Sequence, residues 1–167
     1  MIESLGNIGD FIGGFGVVVT VIYLAYQIRQ NTASTRSATY QSVVADVSEW
    51  TLQLGLNPES ARIYVTGIED LDDLTSAEVA QFNFLLASVI RHFENIHYQY
   101  LSGAIDHDVW DGWSSRILGV LGKPGVKAWW DSQKAVFSND FQAFIDEAPA
   151  SASRTYQFFT DSQADPE

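Results

Sequence analysis

The chain has 167 residues, of which 46% are hydrophobic and 13% aromatic, and its formal net charge is −12. This length allows one compact domain plus an anchor, and so many aromatic residues require a buried core. The absence of cysteine excludes a disulfide framework, a thiolate metal site and a cysteine nucleophile. The nine basic residues are scattered singly, so we expect no nucleic-acid partner, which would need a basic face.

A stripe of small residues marks the beginning of the chain. Within the first twenty positions, small residues recur at alternating intervals of three and four. This stretch overlaps an apolar run over 11–26. In water each interior glycine weakens a helix by about 1 kcal/mol relative to alanine. In lipid, small residues instead allow helices to pack closely. The pattern predicts a transmembrane helix with a packing face made of Gly6, Gly9, Gly13, Gly16 and Thr20.

The length and the flanks of this segment also favour a membrane span. A helix over 5–28 would be about 36 Å long, compared with about 30 Å for the hydrocarbon core of a bilayer. Tyr23, Tyr26 and Arg29 would then lie at the membrane interface, where aromatic and basic side chains are enriched. The alternative is a buried helix of a soluble domain, because the apolar run is short for a span.

The distribution of charge predicts an orientation for this helix. Glu3 and Asp10 lie before the apolar run, whereas Arg29 and Arg36 follow it. Because basic residues favour the cytoplasmic side, we expect the N-terminus outside and the rest of the chain in the cytoplasm. The acidic start lacks the basic region of a signal peptide, so we expect the segment to be retained.

The rest of the chain has the periodicity of a helical bundle. No breaker interrupts the first helix before Gly55, Asn57 and Pro58, so it can continue as one long rod to about residue 54. Thr75 and Glu78 form a capping box at the start of an apolar helix. Helices are predicted over 59–66, 76–102, 107–121, 126–137 and 140–147.

The predicted fold class is therefore all-α, with one N-terminal transmembrane helix that continues into a small cytoplasmic helical bundle. No stretch of the sequence alternates with the period of a strand. We divide the chain into an anchor over 1–30, a bundle domain over 31–148 and an acidic C-terminal tail over 149–167, whose composition is that of a disordered segment.

One pair of residues has the spacing of a metal site. Glu94 and His97 form a Glu-x-x-His pair on a helix, as in four-helix di-iron proteins. Such a site needs a second pair and two further glutamates, and the sequence contains no second Glu-x-x-His. The structural interpretation is that His97 lies at the edge of the core and that Glu94 pairs with Arg91. We predict no metal, cofactor or catalytic residues.

Four tryptophans allow three interpretations. Trp110, Trp113, Trp129 and Trp130 recur at helical spacings, which favours positions in the core of the bundle. They could also line a ligand pocket or meet a membrane surface.

Three segments resemble a family of small, uncharacterised bacterial proteins. They are VVVTVIYLAYQIRQNT over 17–32, the FEN-x-HYQ sequence around His97, and the GV-x-x-WW sequence that ends at Trp130. This resemblance covers most of the chain up to the tail. It implies a bacterial, membrane-anchored, all-helical protein, which we place in the inner membrane, and it assigns no functional residues.

These observations favour a non-enzymatic function. We expect an accessory or scaffold subunit of a bacterial membrane protein complex, or a homo-oligomer, with the lipid bilayer and other transmembrane helices as partners. The first alternative is a membrane-anchored module that binds or senses a small molecule. The second is a metal-dependent enzyme that uses Glu94 and His97.

Overall fold

The computed structural model describes the backbone of residues 2–148 and the side chains of residues 13–148. Within this part of the chain all regular structure is helical, which confirms the all-α prediction. The expected tail over 149–167 lies outside the described residues. The six α-helices are α1 (Ile2–Leu56), α2 (Pro58–Glu69), α3 (Ser76–Leu101), α4 (His107–Leu121), α5 (Pro124–Gln133) and α6 (Asn139–Asp146).

Helix α1 is continuous over 55 residues, as the absence of a breaker predicted. The chain divides into two compact units, Met1–Ala38 and Thr39–Glu167, and α1 contributes residues to both. Among the described residues, no helix combines the length and the apolar character needed to cross a membrane. The expected span over 1–30 therefore receives no support there, because Gln27, Arg29 and Gln30 follow the apolar run within α1.

Local sequence signals set the ends of α2 and α3. Asn57 caps α2 by accepting a hydrogen bond from the Ser60 amide at 3.0 Å, and Pro58 occupies the first helical position. Helix α2 continues to Glu69, three residues beyond the predicted end. The capping box is present, since Thr75 and Glu78 each accept a hydrogen bond from the other's amide.

Helix α3 supplies the centre of the core of the second unit. Most of its apolar side chains between Phe82 and Ile96 are buried, whereas Phe84 and Leu101 are exposed, and α2, α4, α5 and α6 each contribute fully buried side chains to the same cluster. Helices α2 and α5 are in close contact where Gly67 meets Gly125. The largest fully buried side chains of the unit are Phe82, Phe93, Phe141, Ile63, Ile68, Leu86, Ile90, Ile96, Ile117 and Val126.

The fifth helix differs from its predicted bounds. It begins at Pro124, two residues earlier than expected, because proline suits the first turn of a helix. It ends at Gln133, and a 3₁₀ turn over Lys134–Val136 leads to α6. The ammonium group of Lys123 lies 2.8 Å from Glu69, so an ion pair joins the start of α5 to the end of α2.

Candidate functional site

The N-terminal half of α1 exposes almost all of its apolar surface. Every side chain from 13 to 38 is exposed. Ten large hydrophobic side chains between Phe15 and Ile28 are 49–66% exposed. They occur on all sides of the helix rather than on one face, so the apolar surface surrounds this part of α1. Contiguous apolar surface of this extent is typical of a binding or membrane-contacting region.

The small residues of the predicted packing face lie within this exposed stretch. A Cβ added at Gly13 or Gly16 would have no neighbouring atom within 4 Å, so none of the described residues occupies the space beside them. The Thr20 hydroxyl donates a hydrogen bond to the carbonyl of Gly16 at 2.8 Å, so the helix itself satisfies this polar group. Gly6 and Gly9 belong to α1 but precede the described side chains.

The three residues expected at a membrane interface are also exposed. Tyr23 is 57% exposed and its hydroxyl accepts a hydrogen bond from the Gln27 amide at 2.7 Å. Tyr26 is 64% exposed, and Arg29 is exposed one turn later. The structure thus places the three predicted interface residues in succession at the end of the apolar stretch.

Glu94 has a structural role at the start of α6. One of its carboxylate oxygens accepts a hydrogen bond from the amide of Ser138, the residue that precedes α6, at 2.6 Å. The other oxygen pairs with Arg91, as the sequence predicted. Among the described residues, no group of three or more His, Asp or Glu side chains is placed to hold a metal ion.

His97 is buried, whereas the sequence predicted a position at the edge of the core. It is 6% exposed, and its ring lies 5.0 Å from that of Phe144 and 5.3 Å from that of Trp110. Burial lowers the pKa of His97, and the charges of Asp140 and Glu94 oppose this shift. The aromatic surroundings therefore favour a neutral imidazole.

Most of the tryptophans of α4 and α5 belong to the core. Trp110, Trp129 and Trp130 are buried, while Trp113 is half-buried against the same cluster. The indole of Trp129 donates a hydrogen bond to the side-chain oxygen of Asn83 at 2.8 Å. These positions agree with the core interpretation of the sequence pattern.

Two open cavities adjoin Trp50, and neither was predicted from the sequence: the larger lies between α1, α2 and α3, and the smaller lies between α1 and α3. The larger has a volume of about 410 Å³ and the smaller about 200 Å³, and both are lined by Trp50 and Gln53. Trp50 also packs edge-on against Tyr64, with ring centroids 5.4 Å apart. The spacing of apolar residues in the sequence gives no sign of the space on each side of Trp50.

Comparisons with known proteins assign neither a family nor a function to the chain. It matches no known protein family, no curated protein and no solved structure.

Proposed function

We propose that this chain is a non-enzymatic accessory or scaffold subunit of a membrane protein complex, which assembles through the N-terminal half of α1. The observation that carries the proposal is the exposed apolar surface over 13–28. Burying half of each of its ten large hydrophobic side chains would be favourable by roughly 1 kcal/mol per side chain. A partner or a bilayer that covers this surface would therefore gain about 10 kcal/mol.

The arrangement of this surface favours burial by lipid and by other transmembrane helices. A single soluble partner would contact one side of α1, whereas large apolar side chains surround the helix. In the sequence, Phe11 and Ile12 extend the apolar stretch toward the N-terminus. The run over 11–26 is shorter than the roughly 20 residues of a typical span, so local thinning of the bilayer would accompany insertion.

Within such a membrane, the small residues are proposed to define the side that meets another helix. The space beside Gly13 and Gly16 would let a second backbone approach closely, and Thr20 would add no unsatisfied donor to that contact. The second unit would lie in the cytoplasm, because Arg29 and Arg36 follow the apolar run.

Carbonate extraction of membranes tests the first part of the proposal. Cells that express the full chain should retain it in the membrane pellet after washing at high pH. Release into the supernatant would refute membrane integration. Because the chain contains no cysteine, a single Ser102→Cys change then tests orientation. Labelling of intact cells by an impermeant thiol reagent would contradict a cytoplasmic second unit.

Purification in mild detergent tests the assembly. The chain should elute with other subunits or as a homo-oligomer, and Gly16→Leu should reduce the size of the complex without preventing membrane insertion. Val18→Leu is the matched control, because it changes a neighbouring side chain on another side of α1. Equal complex size for the wild type, Gly16→Leu and Val18→Leu would refute the small-residue face as the contact.

A further inference from the structure

One side of α3 forms a long exposed strip on the second unit. Seven exposed residues recur there at intervals of three or four, so they share one side of the helix over about 31 Å. Two of them are large aromatic residues, Phe84 and Tyr98, which are 73% and 65% exposed. The α3 strip consists of Ala77, Ala80, Phe84, Ser88, Arg91, Asn95 and Tyr98.

The α3 strip carries no carboxylate, although the net charge of the chain is −12. The two carboxylates of α3 are engaged within the unit, where Glu78 pairs with Arg62 and Glu94 pairs with Arg91. Two copies of so acidic a chain repel each other over most of their surface. At the α3 strip, a second copy can approach without bringing carboxylates together.

The two borders of the strip have opposite charge. On one border, Asp46 and Glu49 of α1 line the groove beside α3. On the other border, Arg91 donates a hydrogen bond to the carbonyl of Val136 at 3.3 Å. The side chain of Arg91 is 54% exposed, whereas that of its partner Glu94 is 13% exposed. This second border therefore presents positive charge.

The order of residues along the strip suits an antiparallel copy of itself. With a twofold axis beside Ser88, Phe84 of each copy lies opposite Arg91 of the other, because the two positions are equally far from the axis. One face of the Arg91 guanidinium already covers Phe137, at 4.4 Å from the ring centroid. The opposite face of this planar group can cover a second aromatic ring, which is a favourable contact.

The same axis also matches the rest of the strip. Tyr98 lies opposite Ala77 and Ala80 of the other copy, so a large side chain meets small ones. The axis exchanges the two borders, so the acidic border of each copy faces the Arg91 border of the other. A parallel pairing would instead place Arg91 against Arg91, which is unfavourable.

We propose that the second unit forms an antiparallel homodimer through the α3 strip, with its twofold axis beside Ser88. This interface is separate from the surface over 13–28 through which the chain is proposed to assemble, so either proposal can fail without the other.

Disulfide formation tests this contact in the full chain, purified in mild detergent. Because the chain contains no cysteine, a single substitution reports contacts between copies. Ser88→Cys should give a disulfide-linked dimer after mild oxidation, since the two sulfur atoms meet beside the axis. Ser115→Cys, at an exposed position of α4, is an equally conservative control for random collisions and should give little dimer.

A mixed experiment tests the antiparallel direction. When two differently tagged chains are co-expressed, Ala80→Cys on one should link to Asn95→Cys on the other, because the axis places these positions opposite each other. Two chains that both carry Ala80→Cys should not link, since these positions would lie about 22 Å apart along the strip.

A charge substitution then tests the central contact. Phe84→Lys places a second positive charge opposite Arg91 of the other copy, so the dimer yield of Ser88→Cys should fall by about fivefold or more. Leu52→Lys is the matched control, because Leu52 is 62% exposed and lies on the side of α1 away from Trp50. Circular dichroism shows whether each variant retains its helices.

Four results would overturn the proposal. The first is a dimer yield for Ser88→Cys no higher than for Ser115→Cys, and the second is linkage of Ala80→Cys to itself as readily as to Asn95→Cys. The third is an equal effect of Phe84→Lys and Leu52→Lys. The fourth is a different subunit that co-purifies with the wild type but not with Phe84→Lys, which would assign the strip to that subunit. The first two use near-isosteric or exposed substitutions, so they decide the matter even if Phe84→Lys fails to fold.

Discussion

The contact between Gly67 and Gly125 gives a sharp prediction about stability. A Cβ at Gly125 would lie 1.9 Å from the carbonyl oxygen of Gly67 and 3.0 Å from its carbonyl carbon. Because both obstacles are backbone atoms, no side-chain rotation can relieve the clash. Helices α2 and α5 would have to separate by about 1.5 Å before these atoms reached an ordinary contact distance.

This separation would loosen the buried side chains around the crossing. Overpacking a core costs about 1–3 kcal/mol when side chains can adjust, and here only whole helices can move. Alanine also gains up to about 1 kcal/mol over glycine in helix propensity, which offsets part of the loss. We therefore expect Gly125→Ala to lower the free energy of unfolding by about 2–4 kcal/mol, against about 5–15 kcal/mol for a typical domain.

Gly112→Ala provides a matched control in the same unit. Gly112 lies within α4, and a Cβ there would have no neighbour within 4 Å. The same substitution should therefore stabilise the protein by about 0.5–1 kcal/mol.

Urea unfolding, followed by tryptophan fluorescence, measures both effects. The midpoint for Gly125→Ala should fall and that for Gly112→Ala should rise, with similar slopes. A midpoint for Gly125→Ala at or above that of the wild type would refute the close crossing of α2 and α5.

Three further outcomes follow from individual side chains. Burial lowers the pKa of His97, so the stability that the neutral ring provides should be complete above about pH 6.5 and should be lost as the pH falls below it. In His97→Leu the unfolding midpoint should therefore depend less on pH in this range. Hydrogen bonds from Thr75 and the nearby Arg62 lower the pKa of Glu78 to about 2, so stability should also fall between pH 4.5 and 2, and a Glu78→Gln variant that kept this slope would contradict the assignment. Glu94→Ala removes the acceptor for the Ser138 amide, so hydrogen exchange should become faster in α6, and unchanged exchange rates there would show that this hydrogen bond does not hold the helix.

Much of the fold could be predicted because its signals are local. The capping box at Thr75 and the stop at Asn57 and Pro58 depend on residues within four positions of each other, and both occur as expected. The pairing of Glu94 with Arg91 is also local. The start of α5 was predicted two residues too late, although Pro124 suits the first turn of a helix.

The candidate sites depend on contacts that periodicity does not specify. The sequence predicted His97 at the edge of the core, but the structure buries its ring among aromatic groups from α4 and α6. The hydrogen bond between Glu94 and the Ser138 amide joins positions 44 residues apart, so no local motif could have revealed it. The space around Trp50 likewise depends on how α1, α2 and α3 are arranged.

The sequence by itself determined the helical class, most helix ends and the apolar character of α1, because these follow from backbone propensities, caps and the spacing of apolar residues. It also determined that 13–28 carries far more apolar surface than one face of a soluble helix requires. Only the tertiary structure decided that this surface stays exposed, that Gly67 and Gly125 meet, and that cavities adjoin Trp50. Those features arise from distances between helices, and no single helix specifies them.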